Sequence, residues 1–177
     1  MPALLRLGVE MKRLLLVALL TCGVGMAMAT PARILLVRHA EKMDDGTRDP
    51  SLSAEGRARA EVLATLMGEH HVTDVFTSQY QRTIQTAAPG VAAHDLRATV
   101  VEAQKPAALL ELVHALPPSA VALIVGHSNT VPDLAHELGA EDVAPMGEDE
   151  YDRIVILHLD PAEGEVTSRV VRYPPSS

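Results

Sequence analysis

Arg33-Ile34-Leu35-Leu36-Val37-Arg38-His39-Ala40-Glu41 runs four apolar residues straight into a cation, an imidazole and a carboxylate. A short continuous apolar run reads as a strand covered on both faces, as in a buried, mostly parallel sheet. Outward from it the pattern alternates. A polar loop rich in Asp, Gly and Pro leads to Ser53, which caps a helix over 54–67 with Val62, Leu63, Leu66 and Met67 on one stripe and Gly68 as terminator. A second strand spans 74–77, followed by a helix over 79–88 that Pro89-Gly90 stops. Strand 99–101, helix 106–116 with Pro106 in its first position, and strand 121–125 continue the series. A helix over 131–138 ends at Gly139, and 153–159 and 166–172 close the chain as strands. This alternation predicts an α/β fold, a three-layer α/β/α sandwich with a mostly parallel central sheet.

The 177 residues are 47% hydrophobic, 2% aromatic and 21% charged, with net charge −8 and one cysteine. That apolar content excludes a disordered chain, and one cysteine excludes a disulfide framework. The acidic balance argues against a nucleic-acid partner, and the chain lacks the aromatics on which bases would stack. With no Trp, one Phe and three Tyr, the core must come from Ala, Val, Leu, Ile and Met.

At the front, Lys12 and Arg13 precede Leu14-Leu15-Leu16-Val17-Ala18-Leu19-Leu20 and a run of small residues ending Ala27-Met28-Ala29. This order reads as a secretory signal peptide over 1–29, cleaved after Ala29, with export to the periplasm or beyond and a single domain over 30–177. Thr21, Gly23 and Gly25 interrupt a stretch already short for a membrane span, so no stable membrane insertion is expected after cleavage. Leu19-Leu20-Thr21 before Cys22 is a poor match to a lipidation site, which argues against a lipoprotein. Met11 opens a compact signal of its own, so either Met1 or Met11 serves as the start. Residues 1–29 hold Arg6, Lys12 and Arg13 against Glu10, so their loss takes the formal charge from −8 to −10. The remaining domain is free of cysteine, in keeping with an oxidising compartment.

In sheets of this kind ligands bind beyond the carboxyl ends of the strands. Three polar segments lie there: Arg38-His39-Ala40-Glu41, Ser78-Gln79-Tyr80-Gln81-Arg82-Thr83 and Gly126-His127-Ser128-Asn129-Thr130. Two histidines and two arginines thus meet one edge. Guanidinium forks match phosphate geometry, and a neutral imidazole is a competent nucleophile. These segments, with Asp49-Pro50-Ser51-Leu52-Ser53, Gly56 and Gln85-Thr86, resemble the histidine phosphatase superfamily, also called phosphoglycerate mutase-like, over essentially the whole mature length.

The resemblance implies that His39 is the phosphorylated nucleophile, that Arg38 and Arg82 hold the phosphoryl oxygens, and that His127 completes the pocket. It implies hydrolysis of phosphomonoesters through a phosphohistidine, with no metal and no cofactor, on a small phosphorylated substrate. Glu102 stands where one branch of the family carries its proton donor, with Glu41 in reserve. Where another branch carries an Asp after the second His, this chain has Ser128, which is expected to face the phosphate. Ala40 and Lys42 flank Glu41 where many members have Gly and Ser, and Asp45 replaces an Asn whose phosphate contact is therefore not carried over. About twenty residues separate Arg82 from Glu102, too few for a large insertion, so an open pocket is expected, edged by the acidic segment 139–152.

Two alternatives stay open. Gly126-His127-Ser128-Asn129-Thr130 begins like the Gly-x-Ser-x-Gly elbow of serine esterases but ends in Thr. A non-catalytic phosphate or phosphoprotein binder would keep the same residues. His70, His71, His94, His114, His136 and His158 show no ligand spacing and read as surface or satisfied side chains. The physiological substrate and the oligomeric state have no signal in the sequence.

Overall fold

The computed structural model describes residues 33–160 and 163–173. The expected signal segment over 1–29, its expected cleavage after Ala29, Cys22 and the choice between Met1 and Met11 lie outside the described residues. The elements are β1 (Arg33–Arg38), α1 (Ala54–Glu69), β2 (Asp74–Thr77), α2 (Gln81–Ala93), β3 (Ala98–Val100), α3 (Pro106–His114), β4 (Val121–Gly126), α4 (Thr130–Glu137), β5 (Arg153–Asp160) and β6 (Glu165–Arg172). They form one six-stranded sheet in the order β3-β2-β4-β1-β5-β6. The first four of these are parallel, while β5 and β6 run antiparallel at one side.

The core follows from the two-residue period of a strand. Ile34 and Leu36 of β1 face α3 and α4, packing with Ile124, Val113, Val131 and Leu134. Leu35 and Val37 face α1 and α2, packing with Leu63, Met67 and Ala87. All four β1 residues are fully buried, and each such side chain contributes about 1.5–3 kcal/mol relative to exposure. Both faces are therefore covered, and the three-layer sandwich expected from the alternation is the fold.

Two helix ends depart from expectation for the same reason. Helix α2 does not stop at Pro89-Gly90 but continues to Ala93, with Pro89 inside it. Gly90 is buried against Met67, and a Cβ there would collide with the Met67 sulfur. The missing side chain lets α2 press onto α1, and that burial outweighs the hydrogen bond that proline forfeits. Gly68 likewise lies within α1, which runs on to Glu69 before His71 takes a left-handed φ of 56°.

Local contacts explain the polar segment before α1. Ser53 caps the helix by accepting from the Gly56 N–H at 3.1 Å, while the Ser53 N–H donates to the Glu41 carbonyl at 2.9 Å. A Cβ on Gly56 would run into that same carbonyl. The start of α1 is thereby seated directly on the loop that follows β1.

Candidate active site

Register sets the geometry. Arg38 lies opposite Gly126, the last residues of β1 and β4, and the His39 N–H donates to the Gly126 carbonyl at 2.9 Å. His39 and His127 therefore leave adjacent strands side by side, their ring centroids 5.4 Å apart and edge to face.

His39 is 4% exposed, and its Nδ1 lies 2.8 Å from the carbonyl oxygen of Ala40. A carbonyl can only accept, so Nδ1 carries the proton and Nε2 keeps its lone pair. The Ala40 N–H donates to Thr86 Oγ1 at 2.9 Å, and that hydroxyl donates to the Arg82 carbonyl at 2.7 Å, which fixes the loop around the imidazole.

His127 is oriented by a short hydroxyl chain. Thr83 Oγ1 donates to the Tyr80 carbonyl at 2.8 Å, so it accepts from Ser78 Oγ at 2.8 Å. Ser78 Oγ in turn accepts from His127 Nε2 at 3.1 Å. This network assigns the Nε2–H tautomer and leaves Nδ1 without a partner among the described residues. The backbone N–H of His127 donates to Thr130 Oγ1 at 2.8 Å, so Thr130 closes the turn into α4, while Asn129 makes no side-chain capping bond.

The two arginines are held from behind. Arg38 is 4% exposed; its Nη1 donates to the carbonyls of Gly147, Glu148 and Glu150 at 2.9, 2.6 and 3.3 Å, and its guanidinium lies 4.1 Å over the Tyr151 ring. Its Nε is buried without a partner. Arg82 stacks 4.3 Å over Tyr80, with Nη1 3.6 Å from Asp49 Oδ1.

Electrostatics keep both imidazoles neutral. Burial, then the neighbouring His127, Arg38 and Arg82, push His39 down to about 3, despite the opposing bond to Ala40. Burial, followed by Arg82 and Arg38, pushes His127 down to about 4. A neutral imidazole with an oriented lone pair, two guanidinium forks and a second imidazole converge at one sheet edge.

Residues 34–112 match the family model of the histidine phosphatase superfamily (branch 1). The matched stretch holds Arg38, His39 and Arg82, and over that length the chain resembles the histidine phosphatase superfamily. No curated protein matches it. Among solved structures, the protein histidine phosphatase SixA complexed with tungstate is similar at 21% identity, covering 81% of this chain and 97% of that one, with a TM-score of 0.62. A mycobacterial glucosyl-3-phosphoglycerate phosphatase in complex with VO3 is similar at 16% identity, covering 82% of this chain and 100% of that one, with a TM-score of 0.63. At such identities the likeness shows the phosphoglycerate mutase-like fold.

Within this fold the remaining expected site residues are spread around the His–Arg cluster. Glu102 follows β3 with its side chain 58% exposed and 3.2 Å from Lys105. It lines a cleft of about 630 Å³ between α3 and α4 that also reaches Ser78 and His127 and is walled by Val101, Leu110 and Leu134. Ser128 sits on the turn into α4, and its Oγ donates to Glu148 Oε1 at 3.5 Å; among the described residues it bonds neither histidine. Glu41 is engaged by Arg59, whose Nε lies 2.9 Å from both carboxylate oxygens and whose Nη1 donates to the Tyr173 carbonyl at 2.8 Å. Asp45 is turned into its own loop, accepting from the N–H and hydroxyl of Thr47 at 3.0 and 2.6 Å.

Sequence reasoning assigned no roles to Ser78, Thr83, Thr86, Arg59 or Tyr151. Ser78, Thr83 and Thr86 lie inside the quoted segments, and Tyr151 ends the acidic stretch expected to edge the pocket. Arg59 had no signal, because its partner Glu41 is 18 residues away on another element.

Proposed function

We propose that the protein hydrolyses small phosphomonoesters through a phosphohistidine on His39, without a metal ion. The observation that carries this reading is the Nδ1 bond of His39 to the Ala40 carbonyl, which leaves the Nε2 lone pair of a buried, neutral imidazole to attack phosphorus. The Nε2–P bond forms as the ester P–O bond breaks, and the leaving oxygen takes a proton. Water then attacks the phosphohistidine, releasing inorganic phosphate and restoring His39.

Arg38 and Arg82 neutralise charge on the equatorial oxygens. Burial holds His127 near 4 with help from Arg82 and Arg38; a bound dianion offsets the two arginine charges, so His127 gains proton affinity and becomes a donor to phosphate. Glu102 lines the same cleft as His127, which makes it the candidate to protonate the leaving oxygen, and the apolar walls of that cleft offer room for the leaving group. Ser128, at the start of α4, adds a hydroxyl to the phosphate site. The serine esterase alternative loses support, because the hydroxyl on His127 belongs to Ser78 and not to Ser128. Export through segment 1–29 would set the enzyme to work outside the cytoplasm.

Protonation of Nε2 destroys the nucleophile, so activity falls as pH drops through the pKa of His39. With His39 at about 3, the acid limb of kcat/KM belongs near pH 3, once the substrate's own ionisation is corrected for. A limb near the ordinary histidine value of about 6.5 would contradict the buried, neutral pair.

A panel of phosphomonoesters assayed with and without EDTA tests the whole reading. Hydrolysis unaffected by the chelator is expected. Failure on every substrate, or an EDTA loss restored by Zn or Mg, overturns it.

A further inference from the structure

The segment 147–151 is built around Arg38. Three of its carbonyls occupy Nη1, and Tyr151 lies under the guanidinium plane. Only Nη2 and the unpartnered Nε remain to meet a phosphoryl oxygen. Glu148 projects from this same segment, with Oε2 3.7 Å from Arg38 Nη2 and Oε1 3.5 Å from Ser128 Oγ. The carboxylate thus spans the end of β1 and the start of α4, the two elements that would also cradle phosphate.

Its grip is loose. Both contacts are long, and the Glu148 side chain is 87% exposed. Two nearby carboxylates are committed elsewhere: Glu150 lies 2.6 Å from Arg153 and 2.9 Å from Arg172, and Asp152, just past the segment, pairs with Arg172. A carboxylate and a phosphate dianion cannot share Nη2 without strong repulsion at that range, whereas an exposed side chain swings into water at little cost.

We propose that Glu148 stands in for a phosphoryl oxygen in the free protein and is displaced when phosphate binds, which makes it a determinant of the site's affinity for anions. This rests on the phosphatase reading of the same site. Removing the charge should tighten anion binding without changing the chemical step, so KM falls and kcat stays.

The test is calorimetric titration of inorganic phosphate into the full chain, alongside KM and kcat for one phosphomonoester. For Glu148→Gln, phosphate Kd and KM are expected to fall about three- to tenfold with kcat within twofold of wild type. Glu148→Ser, shorter and equally uncharged, should repeat the gain, while the neighbouring Asp149→Asn should shift Kd by less than about twofold. An unchanged Kd in both Glu148 variants, or an equal gain in Asp149→Asn, overturns the proposal while leaving the phosphatase reading intact. A wild-type chain that neither binds phosphate nor turns over a phosphomonoester overturns both.

Discussion

His39→Ala lowers kcat for phosphomonoester hydrolysis by at least about 10³-fold, because the step it supports has no substitute in the site. Among the described residues the other imidazole at this edge is His127, which the proposed mechanism uses as a donor to phosphate. Phosphate binding survives the substitution, since Arg38, Arg82 and His127 remain. The fold should survive too. The described hydrogen bond of the His39 ring runs to the adjacent Ala40 carbonyl and closes no long-range contact. Steady-state kinetics paired with phosphate titration therefore separates chemistry from binding. Residual kcat within about tenfold of wild type would remove His39 from the nucleophile's role.

Arg38→Ala should cost at least about 10² in kcat/KM, as expected for the loss of a preorganised donor at the developing charge. Arg38 has two tasks at once. Nη1 anchors three carbonyls of the 147–150 segment, and the opposite edge, Nη2 and Nε, is left for phosphate. An ammonium cannot serve both sides, so Arg38→Lys should fall within about threefold of Arg38→Ala. Among the described residues the Arg82 guanidinium is held by Tyr80 and a longer contact to Asp49, so Arg82→Lys should retain more activity than Arg38→Lys. Comparison of kcat/KM across these variants checks the division of labour. A Lys at 38 that works nearly as well as Arg would contradict it.

Much of the fold was legible because β1 is apolar on both faces and its polar continuation is abrupt. The same juncture exposed Arg38, His39 and, by analogy at β4, His127. What the sequence hid lies in long-range contacts. Pro89-Gly90 reads as a stop, yet Gly90 lies within α2 because Met67 of another helix fills the space above it. The acceptors of Arg38 are backbone carbonyls 109 to 112 residues away, which no side-chain pattern can announce. Glu41 looked available to the chemistry until Arg59 was brought against it by the packing of α1. The Lys105 partner of Glu102 was a different matter, since its three-residue spacing at the start of α3 was open to reading.

The phosphohistidine is the claim on which the rest depends. The most direct measurement incubates the full chain with a phosphomonoester labelled in its phosphoryl group, quenches within a turnover, and maps the label by peptide mass spectrometry. Acid-labile, base-stable label on His39 is expected, absent in His39→Ala. Turnover with no label at His39, or with label on Ser128, would contradict a histidine nucleophile.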